Sequence, residues 1–154
     1  MNKAYLDANF LASLFIPGQD FQQRAMILFA TLRTQKYNLY ISPLVLDELW
    51  LAIYKDLNKQ GKIKQGPVDM CKDVKKSWKA IKKYSFIKLI QVKKPITAGV
   101  ENAIRFLQKH NLRPRDSFHL AIAESHKICE IVTYDSDFTD VQKKVSQSGF
   151  KIIN

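Results

Sequence analysis

Apolar and polar positions change rhythm several times along the chain of 154 residues. Short apolar runs at 3–6 (KAYL), 38–42 (NLYIS), 86–92 (FIKLIQV), 130–133 (EIVT) and 150–153 (FKII) have the length and composition of buried strands. Helical spacing fills the intervals. One helix begins near Asn9 and stops at the Pro17-Gly18 breaker. A second, with Asp20 as its N-cap, places Phe21, Ala25, Leu28 and Leu32 on one stripe. Pro43 suits the first turn of a third, where Leu46, Leu49, Ile53 and Leu57 share a face. Gly61 and Gly66-Pro67 then interrupt the pattern, and a Lys-rich helix runs to about Tyr84. Further helices are expected over 96–110 and after Pro114, in DSFHLAIAESH. Strands alternating with helices predict an α/β fold, a three-layer α/β/α sandwich around a central parallel sheet. The length fits one domain, residues 1–154.

Composition narrows the setting. Five Gly and five Pro, scattered, leave no linker, and no repeat is visible. No apolar run reaches the roughly 18 residues that span a bilayer, and Asp7 and Asn9 break any secretory h-region. Cys71 and Cys129 are far apart and form no C-x-x-C pair, so neither a disulfide framework nor a zinc knuckle is expected. A reducing cytoplasm is the expected location.

Charge adds more. The net charge is +11, and between Lys55 and Lys94 there are 13 basic and 3 acidic residues, a net of +10. The rest of the chain, with 12 basic and 11 acidic residues, carries +1. Within the segment, Lys72, Lys75, Lys76, Lys79, Lys82 and Lys83 recur at helical spacing around Trp78 and Tyr84. Such a surface attracts a phosphate backbone, and an aromatic can stack on an unpaired base. The plainer reading is a solvated helix with Trp78 in the core.

The acids suggest chemistry. In open parallel sheets, sites form in the crevice at the carboxyl ends of the strands. Asp7 ends the first strand, Asp135 and Asp137 follow the strand EIVT, Asp116 begins a helix, and Glu48 lies about one and a half turns into the helix after NLYIS. Carboxylates brought together repel one another, and a hard cation such as Mg²⁺ or Mn²⁺ compensates them. Singly, each has an ordinary role: Asp7 and Asp116 as N-caps, Glu48 on a solvated face, Asp135 and Asp137 in a turn, and His119 as a hydrogen-bonded core histidine.

Taken in order, YLDANFL, ISPLVLDEL, RDSFHLAIA and IVTYDSDF resemble the PIN domain family of metal-dependent nucleases, and among them the VapC-type ribonuclease toxins of toxin–antitoxin pairs. The resemblance covers almost the whole chain. It implies that Asp7, Glu48, Asp116 and Asp135 are the catalytic acids and hold Mg²⁺ or Mn²⁺, with Asp137 auxiliary. Asn9, Ser42, His119 and Thr133 then stand behind them. It further implies endoribonuclease activity leaving a 5′-phosphate and a 3′-hydroxyl, and a small antitoxin protein that covers the site. The stretch between Glu48 and Asp116 is longer and more basic than small toxins usually have. RNA is the expected ligand of Lys72, Lys75, Lys76, Lys79 and Lys83. Arg113 and Arg115 either touch phosphate or pair with the acids. A homodimer is a further option. The rivals are a non-catalytic RNA-binding or interaction protein on a PIN scaffold, and a phosphotransferase using an aspartyl nucleophile. The D-x-D pattern of the latter is absent, since the chain reads Asp7-Ala8-Asn9.

Overall fold

The computed structural model describes residues 2–91, 96–135, 138, 146 and 149–154. Five strands form one sheet: β1 (Lys3–Leu6), β2 (Asn38–Ile41), β3 (Ile87–Leu89), β4 (Glu130–Val132) and β5 (Lys151–Ile153). The spatial order is β3-β2-β1-β4-β5, and every pairing is parallel. Among the described residues, six α-helices flank it: α1 (Ala8–Phe15), α2 (Gln22–Thr34), α3 (Pro43–Lys59), α4 (Cys71–Lys82), α5 (Ile96–His110) and α6 (Pro114–Ser125).

A parallel sheet covered on both faces needs strands that are apolar throughout. β1 meets this at the centre, where Ala4, Tyr5 and Leu6 are fully buried. The chain moves from β1 through β2 to β3 in one direction, then returns to the other side of β1 for β4 and β5. Right-handed crossovers therefore put the helices of the first half on one face and α5 and α6 on the other. In agreement, α1 packs on α2 and α3, α3 packs on α4, and α5 pairs with α6. An Arg105–Glu124 ion pair at 2.6 Å also ties α5 to α6.

Local chemistry explains most element ends. Ser42 caps α3, its Oγ accepting from the Val45 amide at 3.4 Å, and Pro43 occupies the first turn. Leu46, Leu49, Ile53 and Leu57 are all buried on the predicted face of α3. α2 differs from expectation. Its first residue is Gln22, and Asp20 lies in the preceding turn rather than at the cap. The Gln22 Oε1 accepts from the Gly18 amide at 3.1 Å, closing that turn with a helix side chain and shifting the start of α2. Phe29 is buried on this helix in place of Phe21, which is 40% exposed.

Among the described residues, no helix is long and apolar enough to cross a membrane. On α4, Ser77 and Ile81 face inward and Trp78 is half-buried against the core. Lys72, Lys75, Lys76, Lys79, Lys82 and Lys83 are exposed, and the Lys82 Nζ lies 5.6 Å from the Trp78 ring centroid. The plainer reading of Trp78, as a residue packed on the core, matches this placement.

Candidate metal centre

The order of strands reverses beside β1, and the carboxyl ends of β1 and β4 diverge there into α1 and the segment after Val132. This is where an open parallel sheet leaves a crevice. A cleft of about 630 Å³ occupies it, and Asp7, Glu48, Asp116 and Asp135 all line it. The four come from four places: the end of β1, the second turn of α3, the first turn of α6 and the segment after β4. Asp137 lies outside the described residues.

Asp7 is the innermost, 5% exposed. Its amide donates to the Val132 carbonyl at 3.0 Å, continuing the β1–β4 ladder and fixing the backbone. Thr133 fixes the side chain. The Thr133 Oγ1 accepts from the Asp135 amide at 3.0 Å, and its own proton is donated to Asp7 Oδ2 at 2.7 Å. One hydroxyl thus joins two acids. Asn9 completes the link, its Nδ2 donating to Asp135 Oδ2 at 2.8 Å.

A second chain of hydrogen bonds holds Glu48. His119, buried on α6, faces Glu48 Oε2 through Nε2 at 2.9 Å, and the same nitrogen is 4.0 Å from Asp7 Oδ1. A carboxylate only accepts, so Nε2 carries a proton. In the neutral ring Nδ1 then accepts from the Tyr5 hydroxyl at 2.9 Å, and Tyr5 in turn receives the Ser42 hydroxyl proton at 2.6 Å. With the ring protonated, Nδ1 donates to Tyr5 and Tyr5 to Ser42 instead; in either state Ser42, Tyr5, His119 and Glu48 form one hydrogen-bonded relay from the cap of α3 back to a residue on the same helix.

The electrostatics follow from burial. Desolvation raises the Asp7 pKa despite the opposing effects of His119 and the Thr133 hydrogen bond. For His119 burial works downward, but the Glu48 hydrogen bond and the charges of Asp7, Glu48 and Asp116 outweigh it and hold the ring above its ordinary value. Burial likewise pushes the Tyr5 hydroxyl far up, so it remains a proton donor.

These residues fit a divalent cation. The carboxylates of Asp7 and Glu48 each bring an oxygen within 4.8 Å of the other and of the His119 nitrogen that bonds Glu48, and two further carboxylates line the same cleft. Oxygen donors dominate, as a hard ion requires. Cations border the cleft as well. Arg115 lies 3.6 Å from both Glu48 Oε1 and Asp47 Oδ2, so it pairs with acids here. Arg113 and Lys55 also line it. Tyr5, Asp47 and Lys55 were not among the residues expected from the sequence. For Tyr5 a signal exists: it stands two positions before Asp7, and alternate strand residues share a face. For Lys55, two turns beyond Glu48 on α3, helical spacing carries a similar signal.

A doubly flanked parallel sheet with carboxylates gathered at its switch point defines an acidic-cleft α/β protein. Residues 4–144 match the PIN domain family, and the chain belongs to that family. Solved structures agree on the fold. The sarcin-ricin-loop-cleaving toxin VapC20 of Mycobacterium tuberculosis is 21% identical, with a TM-score of 0.62 over 96% of each chain. VapBC2 of Rickettsia felis, bound to a DNA fragment from its promoter, is 15% identical with a TM-score of 0.61, covering 99% of this chain and 98% of that one. A toxin–antitoxin complex from Klebsiella pneumoniae is 18% identical with a TM-score of 0.59, covering 98% and 96%. A sequence comparison with curated proteins finds no significant match.

Proposed function

We propose that this protein is a Mg²⁺- or Mn²⁺-dependent endoribonuclease acting as the toxin of a toxin–antitoxin pair. The observation that carries the reading is the convergence of Asp7, Glu48, Asp116 and Asp135, from four separate elements, on one cleft. Nothing in folding favours gathering like charges, so a bound cation is their physical reason. Asp7, Glu48, Asp116 and Asp135 would hold the ion, with Asp137 auxiliary. The chemistry such an ion supplies is charge stabilisation at the scissile phosphate and a lowered pKa for water.

The chain's own residues do the rest. Thr133 orients Asp7, Asn9 orients Asp135, and the relay from Ser42 through Tyr5 and His119 orients Glu48. Arg113 and Lys55, at the border of the cleft, offset the repulsion between acids and substrate. The exposed lysines of α4 supply long-range attraction for RNA, with Lys72, Lys75, Lys76, Lys79 and Lys83 as the contacts.

A small antitoxin that reaches the carboxylates with a basic side chain would block this cleft. The toxin–antitoxin complexes of the same fold support such a partner. A second copy is the partner we assign to α5, where Ile96, Val100, Ile104 and Leu107 form an exposed apolar stripe at helical spacing. Two such stripes are self-complementary about a two-fold axis. The proposed location is the cytoplasm.

The test is a cleavage screen on tRNA, rRNA fragments and mRNA with Mg²⁺, Mn²⁺ or EDTA. Metal-dependent cuts that vanish in Asp7→Asn are expected. Cleavage that survives both EDTA and Asp7→Asn refutes the metallonuclease reading.

A further inference from the structure

Beside the acidic cleft, three side chains form a cluster that the cation site does not use. Phe21, just before α2, stacks on Tyr134 with ring centroids 5.0 Å apart and planes inclined by 21°. Tyr134 also leans on the buried Phe10, at 5.8 Å and 42°. The guanidinium of Arg24 lies 5.8 Å from the Phe21 centroid and 5.8 Å from the Tyr134 centroid.

The guanidinium therefore lies over both rings at the same distance. Phe21 nonetheless remains 40% exposed. A large aromatic that is built into a stack and still presents much of its surface to solvent is an unusual use of an apolar residue.

The cluster is joined to the catalytic wall at two points. Tyr134 lies between Thr133, which bonds Asp7, and Asp135, which Asn9 holds. Phe10 directly follows Asn9. Each link is one residue from a side chain that lines the cleft, so a nucleotide next to a bound phosphate is the ligand this cluster fits. A partly exposed aromatic and an adjacent guanidinium match the two halves of that nucleotide, a flat base and an anionic phosphate.

We infer that Phe21, supported by Tyr134 and flanked by Arg24, is a stacking platform for one unpaired nucleobase next to the scissile phosphate. Phe21 takes the base and Arg24 the adjoining phosphate. The inference rests on the ribonuclease reading and deepens it: the substrate is single-stranded at this position. Stacking tolerates every base, so the platform selects for unpaired structure rather than for sequence.

The test measures binding in an Asp7→Asn background, which prevents cleavage. The probes are a short oligouridine and an abasic oligomer of equal length, followed by fluorescence anisotropy. Phe21→Leu should weaken oligouridine binding by about 10-fold, the scale of one lost base stack, and leave the abasic oligomer unchanged. Arg24→Gln should weaken both and lower the slope of log K against log salt by about 0.7. Phe21→Trp should restore affinity, and its indole emission, above that of Trp50 and Trp78, should be quenched by oligouridine but not by the abasic probe. If Phe21→Leu misfolds, the quenching of the Trp variant decides. Unchanged oligouridine affinity in Phe21→Leu, or equal quenching by both probes, overturns the platform while leaving the nuclease reading intact. A variant that keeps its RNA affinity but loses a protein partner overturns it too, since that face then belongs to the partner. A parent protein that binds neither probe removes both readings together.

Discussion

Replacing Tyr5 with Phe deletes one oxygen from the centre of β1 and leaves the ring in place, so no cavity opens. Two hydrogen bonds go with it, to Ser42 at 2.6 Å and to His119 at 2.9 Å. The Ser42 Oγ keeps its bond from the Val45 amide, so the cap of α3 survives. His119 Nδ1 has no such reserve, being 2% exposed and losing its partner. An orphaned buried polar group costs about 1–3 kcal/mol. Taking about 2 kcal/mol, and about 2–4 °C per kcal/mol for a domain of this size, the melting temperature should fall by about 4–8 °C. A second effect lies at the cation site, because the His119 ring no longer has a fixed orientation toward Glu48. Losing such an outer hydrogen bond weakens metal affinity by about 10-fold or more. Thermal unfolding in EDTA measures the first effect, and calorimetric titration with Mn²⁺ at fixed pH the second. A variant that melts with the wild type and binds Mn²⁺ equally well would refute the relay as an energetic unit.

Asp7→Asn should lower RNA cleavage by about 100-fold or more yet stabilise the metal-free protein. The folded pKa of Asp7 is raised, so wild-type stability without metal should fall as pH climbs from about 4 through that folded pKa, and the Asn variant should lack this decline in pH-scanned melts. Replacing Lys75, Lys76, Lys79 and Lys83 by Gln should weaken binding of any RNA sequence. If all four touch phosphate on a single strand, the slope of log K against log salt should fall by about 3, at roughly 0.7 per contact. An unchanged slope would mean that substrate reaches the acids by another route. Ile104→Glu, placed mid-stripe on α5, should convert a dimer to a monomer in light scattering, and an unaltered mass would remove α5 as the contact.

The elements that were legible in the sequence were those whose information is local. The strand β1 reads from four residues, and Ser42-Pro43 marks the start of α3 because the cap and the amide that donates to it lie three residues apart. The start of α2 was less legible, since the Gly18–Gln22 contact competes with Asp20 for the same turn. The acids could be listed from their places after strands and at helix starts. Their convergence depended on a strand order that no local pattern states. For Tyr5 the sequence places the ring on the same strand face as Asp7, but its role was not legible, because its partners are 37 and 114 residues away. Arg115 carried two readings for a similar reason. Only the approach of α3 to α6 puts Glu48 and Asp47 within 3.6 Å of it.

The bond from Thr133 to Asp7 closes a span of 126 residues, and it has a consequence for synthesis. A ribosome adding about 5–20 residues per second makes Thr133 roughly 6–25 s after Asp7. During that interval Asp7 lacks its anchor, β1 lacks its neighbour β4, and Asp135 does not yet exist. The nascent chain therefore emerges without a completed acidic centre, and only the last strands assemble one. With the activity proposed above, the protein is thereby held inactive beside the RNA that encodes it. Ribosome-bound chains truncated before Ile131 should display the α4 lysines but cut nothing.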